Sequence, residues 1–415
     1  MRKSNGIPPG KTRKIYLDYA SSALSKSANP GAIHELGVRE KNKLEGARTA
    51  VAEVLKARNK EIIFTSGATE SNNLAILGLM RNLEQRPGLP HIITTNIEHA
   101  SVLEVCKYLE RTKKAEVTYV GVEQSGIIDP KKIRKALKKN TVLVSVMYAN
   151  NEIGTIQPIR EIAKEIRHFK KTKSVNFFQV LGSPRPARPD HSKNLLTSFS
   201  FPVFHTDAVQ AVNYSPINVR ELGVDLMSMN SVKIYGPKGV GVLFVKENTP
   251  IGPIMFGGNQ EFGLRPGTEN VALAIEFAKA LRTTEKLKKE EVKRLTKLKD
   301  YFFSQLRKKI SAQFIINGDL KNRLPNNINI TIPHIPSDLL VIELSEREIM
   351  ASSKSACKAG DGKASQVIKA INKNLKETDG SLRFSLGRQT TKKDIDYTVE
   401  SLSEILAKLK KWYLT

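Results

Sequence analysis

The sequence predicts an α/β protein in which a large domain, with a mostly parallel central sheet flanked by helices, precedes a smaller α+β C-terminal domain. Three observations predict it. Short β-branched runs alternate with amphipathic helical runs up to about residue 265, and the texture changes after Pro266. The 415 residues also suffice for one large core and a smaller one. The expected division is 1–265, with an N-terminal arm, and 266–415.

In chain order, residues 61–65, 91–95, 116–120, 142–148, 204–207, 225–229 and 240–245 read as strands. Helical stretches lie between them. In 129–139, Asp129 is a good N-cap and Pro130 suits the first helical position. This alternation argues for a parallel sheet covered on both faces, with ligands collecting at the carboxyl ends of its strands. The stretch at about 170–202 has little periodicity and carries Ser183-Pro-Arg-Pro-Ala-Arg-Pro-Asp190, so it reads as an inserted surface excursion. Beyond Pro266 a helical region runs to about Ile310, where Leu295, Leu298, Phe302 and Leu306 form an apolar stripe. Strands follow near 327–332 and 349–352, a helix from about Ser337, and a strand at 382–385.

Composition narrows the function. No apolar run is long enough to cross a bilayer, and the basic N-terminus lacks a following apolar stretch, so the expectation is a cytoplasmic protein. Two cysteines, Cys106 and Cys357, make neither a disulfide framework nor a structural zinc site, and no metal is expected. The net charge of +26 invites a nucleic-acid reading. The basic residues, however, are spread along the chain without an aromatic-interleaved motif, which fits a lysine-rich solvated surface better.

Four segments carry chemistry. Thr65-Ser-Gly-Ala-Thr-Glu-Ser-Asn-Asn73 follows a strand and opens a helix, so N–H groups near Ala68 and Thr69 point at a bound anion such as phosphate; an ordinary helix cap reads similarly. Phe204-His-Thr-Asp-Ala-Val-Gln210 ends a strand on a carboxylate, Asp207, that needs a cationic partner, for which a pyridinium nitrogen is one candidate and a simple capping role the alternative. In Ser228-Met-Asn-Ser-Val-Lys-Ile-Tyr-Gly-Pro-Lys-Gly239, Lys233 lies just beyond a strand, where an amine could form a Schiff base; Lys238 competes for that role. Finally, Cys357 sits among small and polar residues, beside Lys354, Lys358 and Lys363, which favour a thiolate over an incidental loop cysteine. Cys106, in a helical apolar pattern, reads as a packed hydrophobe.

In this order the segments resemble the cysteine desulfurases of the NifS/IscS kind, relatives of the class V aminotransferases, from Ile15-Tyr-Leu-Asp-Tyr-Ala20 to Ser385-Leu-Gly-Arg-Gln-Thr390. Asn150-Asn-Glu-Ile-Gly154 and Arg265-Pro-Gly-Thr-Glu-Asn270 belong to the likeness. The resemblance implies a fold-type-I enzyme dependent on pyridoxal 5′-phosphate (PLP), usually a homodimer. It would convert L-cysteine to L-alanine and leave the sulfur as a persulfide on Cys357, for passage to an acceptor such as an iron–sulfur scaffold or to thio-modified RNA. By the same resemblance, Lys233 holds PLP, Asp207 pairs with the pyridine nitrogen, and Gln210 and Asn151 bond the ring hydroxyl side. His99 stacks on the ring and assists proton transfer. Ala68 and Thr69 hold the phosphate, joined by Thr268 from the neighbouring subunit, and Arg383 clamps the substrate carboxylate. One departure stands beside the lysine. The family's Ser-x-His-Lys is Asn230-Ser-Val-Lys233 here, so Val232 offers the phosphate no donor, and Asn230 or Ser231 is left to compensate. Asn259 and Phe262 interrupt the usual Gly-Gly-Gly-Gln-Glu-Arg run. Two alternatives stay open: a selenocysteine or cysteine sulfinate enzyme, and a dimeric scaffold poor in cofactor.

Overall fold

The computed structural model describes residues 16–23, 27–84, 88–173, 200–353, 365–372, 374 and 381–413. Its centre is a seven-stranded sheet of β1 (Ile62–Thr65), β2 (His91–Thr95), β3 (Glu116–Val120), β4 (Thr141–Ser145), β5 (Val203–Asp207), β6 (Leu226–Asn230) and β7 (Gly241–Val245). The order is β1-β7-β6-β5-β4-β2-β3, and β7 alone runs antiparallel to its neighbours. All seven expected strands are thus present, with ends shifted by a few residues at most. The largest shift is at 142–148, where pairing stops at Ser145. Beyond it, Val146 and Tyr148 still donate to the carbonyls of His205 and Asp207, so the chain runs along β5 into the site.

Among the described residues ten helices surround the strands: α1 (Glu35–Leu55), α2 (Ala68–Arg81), α3 (Ala100–Arg111), α4 (Pro130–Ala136), α5 (Ile159–Lys173), α6 (Val219–Leu222), α7 (Val271–Lys309), α8 (Ser337–Ser345), α9 (Gln366–Ile371) and α10 (Lys392–Tyr413). Asp129 caps α4 by accepting the Lys131 N–H at 2.9 Å, as its sequence position implies. Strand alternation divides the core between two faces. Ile62, Phe64 and Phe244 pack with α1, α5 and the first half of α7, while Ile63 and Leu243 pack with α2 and α3. Cys106 lies fully buried in the second group, where burial pushes its thiol up to about 12, and so behaves as a hydrophobe.

A second, antiparallel sheet has the order β10-β9-β8, from β8 (Ile315–Ile316), β9 (Asn327–Thr331) and β10 (Ser381–Ser385). It packs with α8, α10 and the second half of α7, around Phe302, Leu306, Ile330, Leu382 and Leu402. The 39-residue α7 therefore contributes to two cores: Phe277 and Leu281 to the first, Leu295 and Phe302 to the other. The strand expected at 349–352 is not one. Ile349 N–H returns to the Leu344 carbonyl in the turn ending α8, and only Ser352 makes a bridge, to Arg383. Two-residue β8 was missed because so short a pair shows no alternation. Among the described residues no helix is long and apolar enough to cross a membrane, and no cluster of side chains could hold a metal ion.

Candidate functional site

The parallel strands β1, β2, β4, β5 and β6 all end on one side of the sheet, and the segments after them enclose a cavity of about 480 Å³. That volume suits a small-molecule site. Its wall combines Ala68 and Thr69 after β1, His99 after β2, Asn151 after β4, Asp207 and Gln210 at the end of β5, Asn230 at the end of β6 and Lys233 just after it. Arg383, on β10 of the small sheet, closes it from the opposite side. Nine residues separated by up to 315 positions thus meet in one place.

Each is held by local structure. The first helical bond of α2 runs from Ser71 N–H to the Gly67 carbonyl, leaving the N–H groups of Ala68 and Thr69 to face the cavity mouth. Gly241 makes that placement possible, since a Cβ there would stand 2.7 Å from the backbone of Gly67. Asn230 extends its amide over the same turn, 3.9 Å from where a Cβ on Gly67 would stand. Lys233 follows in a short 3₁₀ turn tied down by an Asn213 side-chain bond to its carbonyl. Among the described residues its amine has no hydrogen bond or ion pair, while Lys238 lines no part of the cavity.

The floor is polar and buried. Asp207, 6% exposed, accepts the Val209 N–H at 3.0 Å and the Asn72 amide at 2.8 Å, one on each oxygen. Beside it, Glu98 accepts from Thr95 Oγ1 at 2.6 Å and Met147 N–H at 3.0 Å, while its other oxygen is buried without a partner among the described residues. Burial, reinforced by the charge of Asp207, pushes the Glu98 carboxyl up to about 8, so it keeps its proton at neutral pH. His99 caps α3, its Nδ1 accepting the Ser101 N–H at 3.2 Å. Arg383 donates from Nη1 to the Asn151 carbonyl at 3.0 Å, and its Nε is buried with no partner among the described residues. Burial lowers its pKa, the Glu152 carboxylate opposing the shift. Unsatisfied donors of this kind are poised for an anion.

The other sequence candidates lie elsewhere. Ser231 is fully buried behind the wall, its hydroxyl without a partner among the described residues, so Asn230 is the one that faces the cavity. Thr268 is exposed and lines no part of this chain's cavity. Val232 lines the wall without a donor. Cys357 lies outside the described residues, with Lys354, Lys358 and Lys363. Both flanks of its segment are anchored at the site, however. Ser352 pairs with Arg383 through both backbone groups, Ser365 bonds Glu152, and Gln366 reaches the Asn96 carbonyl at 3.1 Å. Sequence reasoning missed Tyr214, Tyr235, Asn213 and Asn326 in the wall, and Glu98, Asn72 and Ser101 beneath it. Asn72 stands inside the segment 65–73 and Glu98 and Ser101 lie within two residues of His99, but only contact geometry gives them partners.

The fit to PLP can be tested on these features. An anion cradle at the start of α2, a free amine, an acceptor carboxylate on the floor and a stackable imidazole surround a space of suitable size, and all match its phosphate, aldehyde, ring nitrogen and ring. The class-V aminotransferase family matches residues 11–182 and 200–398, and its gap falls within the stretch expected to be inserted. The cysteine desulfurase IscS of Dictyoglomus turgidum is 40% identical, over 96% of both chains. That of Methanosarcina thermophila is 37% identical over 92% of this chain and 86% of its own. Among solved structures, a NifS-like protein superposes with a TM-score of 0.78 at 32% identity, covering 92% of each chain. SspA in complex with cysteine gives 0.67 at 30% identity, covering 89% of this chain and 92% of SspA.

Proposed function

The chain belongs to the class-V aminotransferase family and, within it, to the cysteine desulfurases, and from that premise we propose how its own residues carry the reaction. The enzyme converts L-cysteine to L-alanine. The free amine of Lys233, facing the floor carboxylate of Asp207 and the unsatisfied guanidinium of Arg383 across one cavity, is the observation that carries the assignment.

PLP, bound here, supplies an aldehyde for amine capture and a ring that withdraws electrons from the substrate's α-carbon. Lys233 would hold it through its amine. Asp207 keeps the ring nitrogen protonated, and Asn72 and Val209 fix that carboxylate in place. Ala68, Thr69 and Asn230 hold the phosphate, Gln210 and Asn151 the hydroxyl edge, and His99 the ring face. Arg383 grips the substrate carboxylate through the donors it leaves free. With PLP bound, the Lys233 amine, which has no competing partner among the described residues, would be the base that moves a proton at the α-carbon. The Cys357 thiolate attacks the substrate sulfur. Its new S–S bond forms as the carbon–sulfur bond breaks, and the carbon takes up a proton to become alanine. Product and enzyme persulfide together account for every atom of cysteine and thiol.

A homodimer fits the exposed apolar side chains Leu17, Ile33 and Phe256, at 88%, 97% and 80% exposure, and gives the outward-facing Thr268 a neighbour's site to complete. The persulfide passes to an acceptor protein such as an iron–sulfur scaffold, and thiol chemistry of this kind suits the reducing cytoplasm. The test is to follow alanine, sulfide and protein persulfide after adding L-cysteine. Cys357→Ala is expected to retain PLP absorption yet make no persulfide. Undiminished sulfide release by that variant would refute the assignment of Cys357.

A further inference from the structure

Three hydrogen bonds, two buried and one partly buried, connect Asp207 to His99. Asn72 donates one amide hydrogen to Asp207 Oδ2 at 2.8 Å and the other to Ser101 Oγ at 2.8 Å. Ser101 Oγ in turn lies 2.8 Å from His99 Nδ1. Asn72 is fully buried and Ser101 is 8% exposed, so water does not compete along the path.

The direction of every bond is forced. As a carboxylate Asp207 presents only acceptors, Oδ1 to the Val209 N–H and Oδ2 to the Asn72 amide. The amide of Asn72 must therefore turn its NH₂ group toward the carboxylate. That orientation leaves Asn72 Oδ1 buried without a partner among the described residues, a cost the reverse orientation would exchange for two oxygens facing each other. Ser101 Oγ, accepting from Asn72, has its hydrogen to give. At the far end, the Ser101 backbone N–H points at His99 Nδ1 over 3.2 Å, and a backbone N–H can only donate. His99 Nδ1 therefore offers a lone pair, and the Ser101 hydroxyl donates to it.

We propose that Asn72 and Ser101 are positioning residues that read the charge of Asp207 and fix His99 as the tautomer with its proton on Nε2, so that His99 meets the substrate as a hydrogen-bond donor and not as a base. Nδ1 faces Ser101, and Nε2 has no protein partner among the described residues and lies on the cavity side. A further proton could enter the ring only at Nδ1, against two donors. Proton removal from the substrate thus falls to Lys233, while the His99 N–H steadies negative charge on the substrate. This narrows the resemblance-based role of His99, and it rests on the assignment of the cavity to desulfuration.

The test uses holoenzyme labelled with ¹⁵N in its histidines, seven in number, with His99→Gln identifying the His99 signals. At neutral pH the expected result is a protonated Nε2 and an unprotonated Nδ1. Ser101→Ala should move the Nδ1 resonance and shift the tautomer ratio about two- to tenfold toward Nδ1–H, the worth of one neutral hydrogen bond. It should lower kcat by a similar factor with little change in KM, and Ser101→Thr, which keeps the hydroxyl, should restore both. A protonated Nδ1 in the unaltered enzyme would overturn the proposal. So would an unmoved Nδ1 resonance in Ser101→Ala, whatever its turnover, since Ser101 would then serve only packing. Absence of alanine formation alongside the expected tautomer would count against desulfuration and leave the relay supported.

Discussion

Replacing Glu98 by Gln should make the protein more stable, increasingly so as pH rises. The carboxyl is buried beside Asp207, and its proton is held up to about pH 8 against an ordinary value of 4.5. An unfolded chain gives that proton up near 4.5, so between the two values the folded state binds one proton more than the unfolded state. Stability then falls by about 1.36 kcal/mol for each pH unit. A raised folded-state value has this sign: the contribution is intact below 4.5, declines through the interval and levels off above 8. At pH 7 the interval crossed is about 2.5 units, and the accumulated cost is about 3 kcal/mol; by pH 9 it reaches about 5 kcal/mol. Gln keeps the oxygen that accepts from Thr95 and Met147 and carries no charge to be buried. Urea unfolding of both proteins from pH 5 to pH 9, at one protein and cofactor concentration, measures the difference directly. The expected gap is below about 1 kcal/mol at pH 5 and widens to several at pH 9. A gap that stays constant would refute the reasoning, because Glu98 would then be titrating alike in both states.

Three further outcomes are expected. Glu261→Gln removes one partner of a buried bidentate pair, in which Arg48 reaches both carboxylate oxygens at 2.8 and 2.9 Å while the Phe64 N–H binds one of them. Unfolding free energy should drop by about 3–5 kcal/mol, and an unchanged urea midpoint would contradict it. Gly241→Ala drives a Cβ to within 2.8 Å of the Gly67 backbone and the Met229 carbonyl, so the start of α2 must shift. PLP titration by visible absorption should show weakened binding, which full affinity would disprove. Val232→His gives the phosphate a donor at a wall position that lacks one. A bond to a charged group is worth about 1.5–3 kcal/mol, so PLP affinity should rise about ten- to a hundredfold. No gain in a fluorescence titration would mean that Asn230 already supplies the contact.

Strand identity was most legible where a strand is buried on both faces and carries a run of β-branched residues, as in Ile92–Thr95 of β2. The site motifs were legible for a related reason: each is a short string fixed to a strand end, as Asp207 is to β5 and Lys233 to the turn after β6. Where local signals compete, the reading failed. Residues 349–352 have strand composition, yet the turn that ends α8 claims the Ile349 N–H, and only Ser352 pairs with a strand, at Arg383.

The sequence by itself determined the sheet, the order of its motifs and the chemical type of each candidate group, because those depend on periodicity and on residues within a few positions of one another. Only the tertiary structure decided what each group does to its neighbours. Asn72, Ser101, His99 and Asp207 stand up to 135 positions apart and become a single chain of bonds when α2 and α3 pack beneath β5. Glu98 holds its proton because folding takes it out of water beside another acid. Hydrogen-bond direction and proton affinity are set by distance and burial in space, and neither is encoded in spacing along the chain.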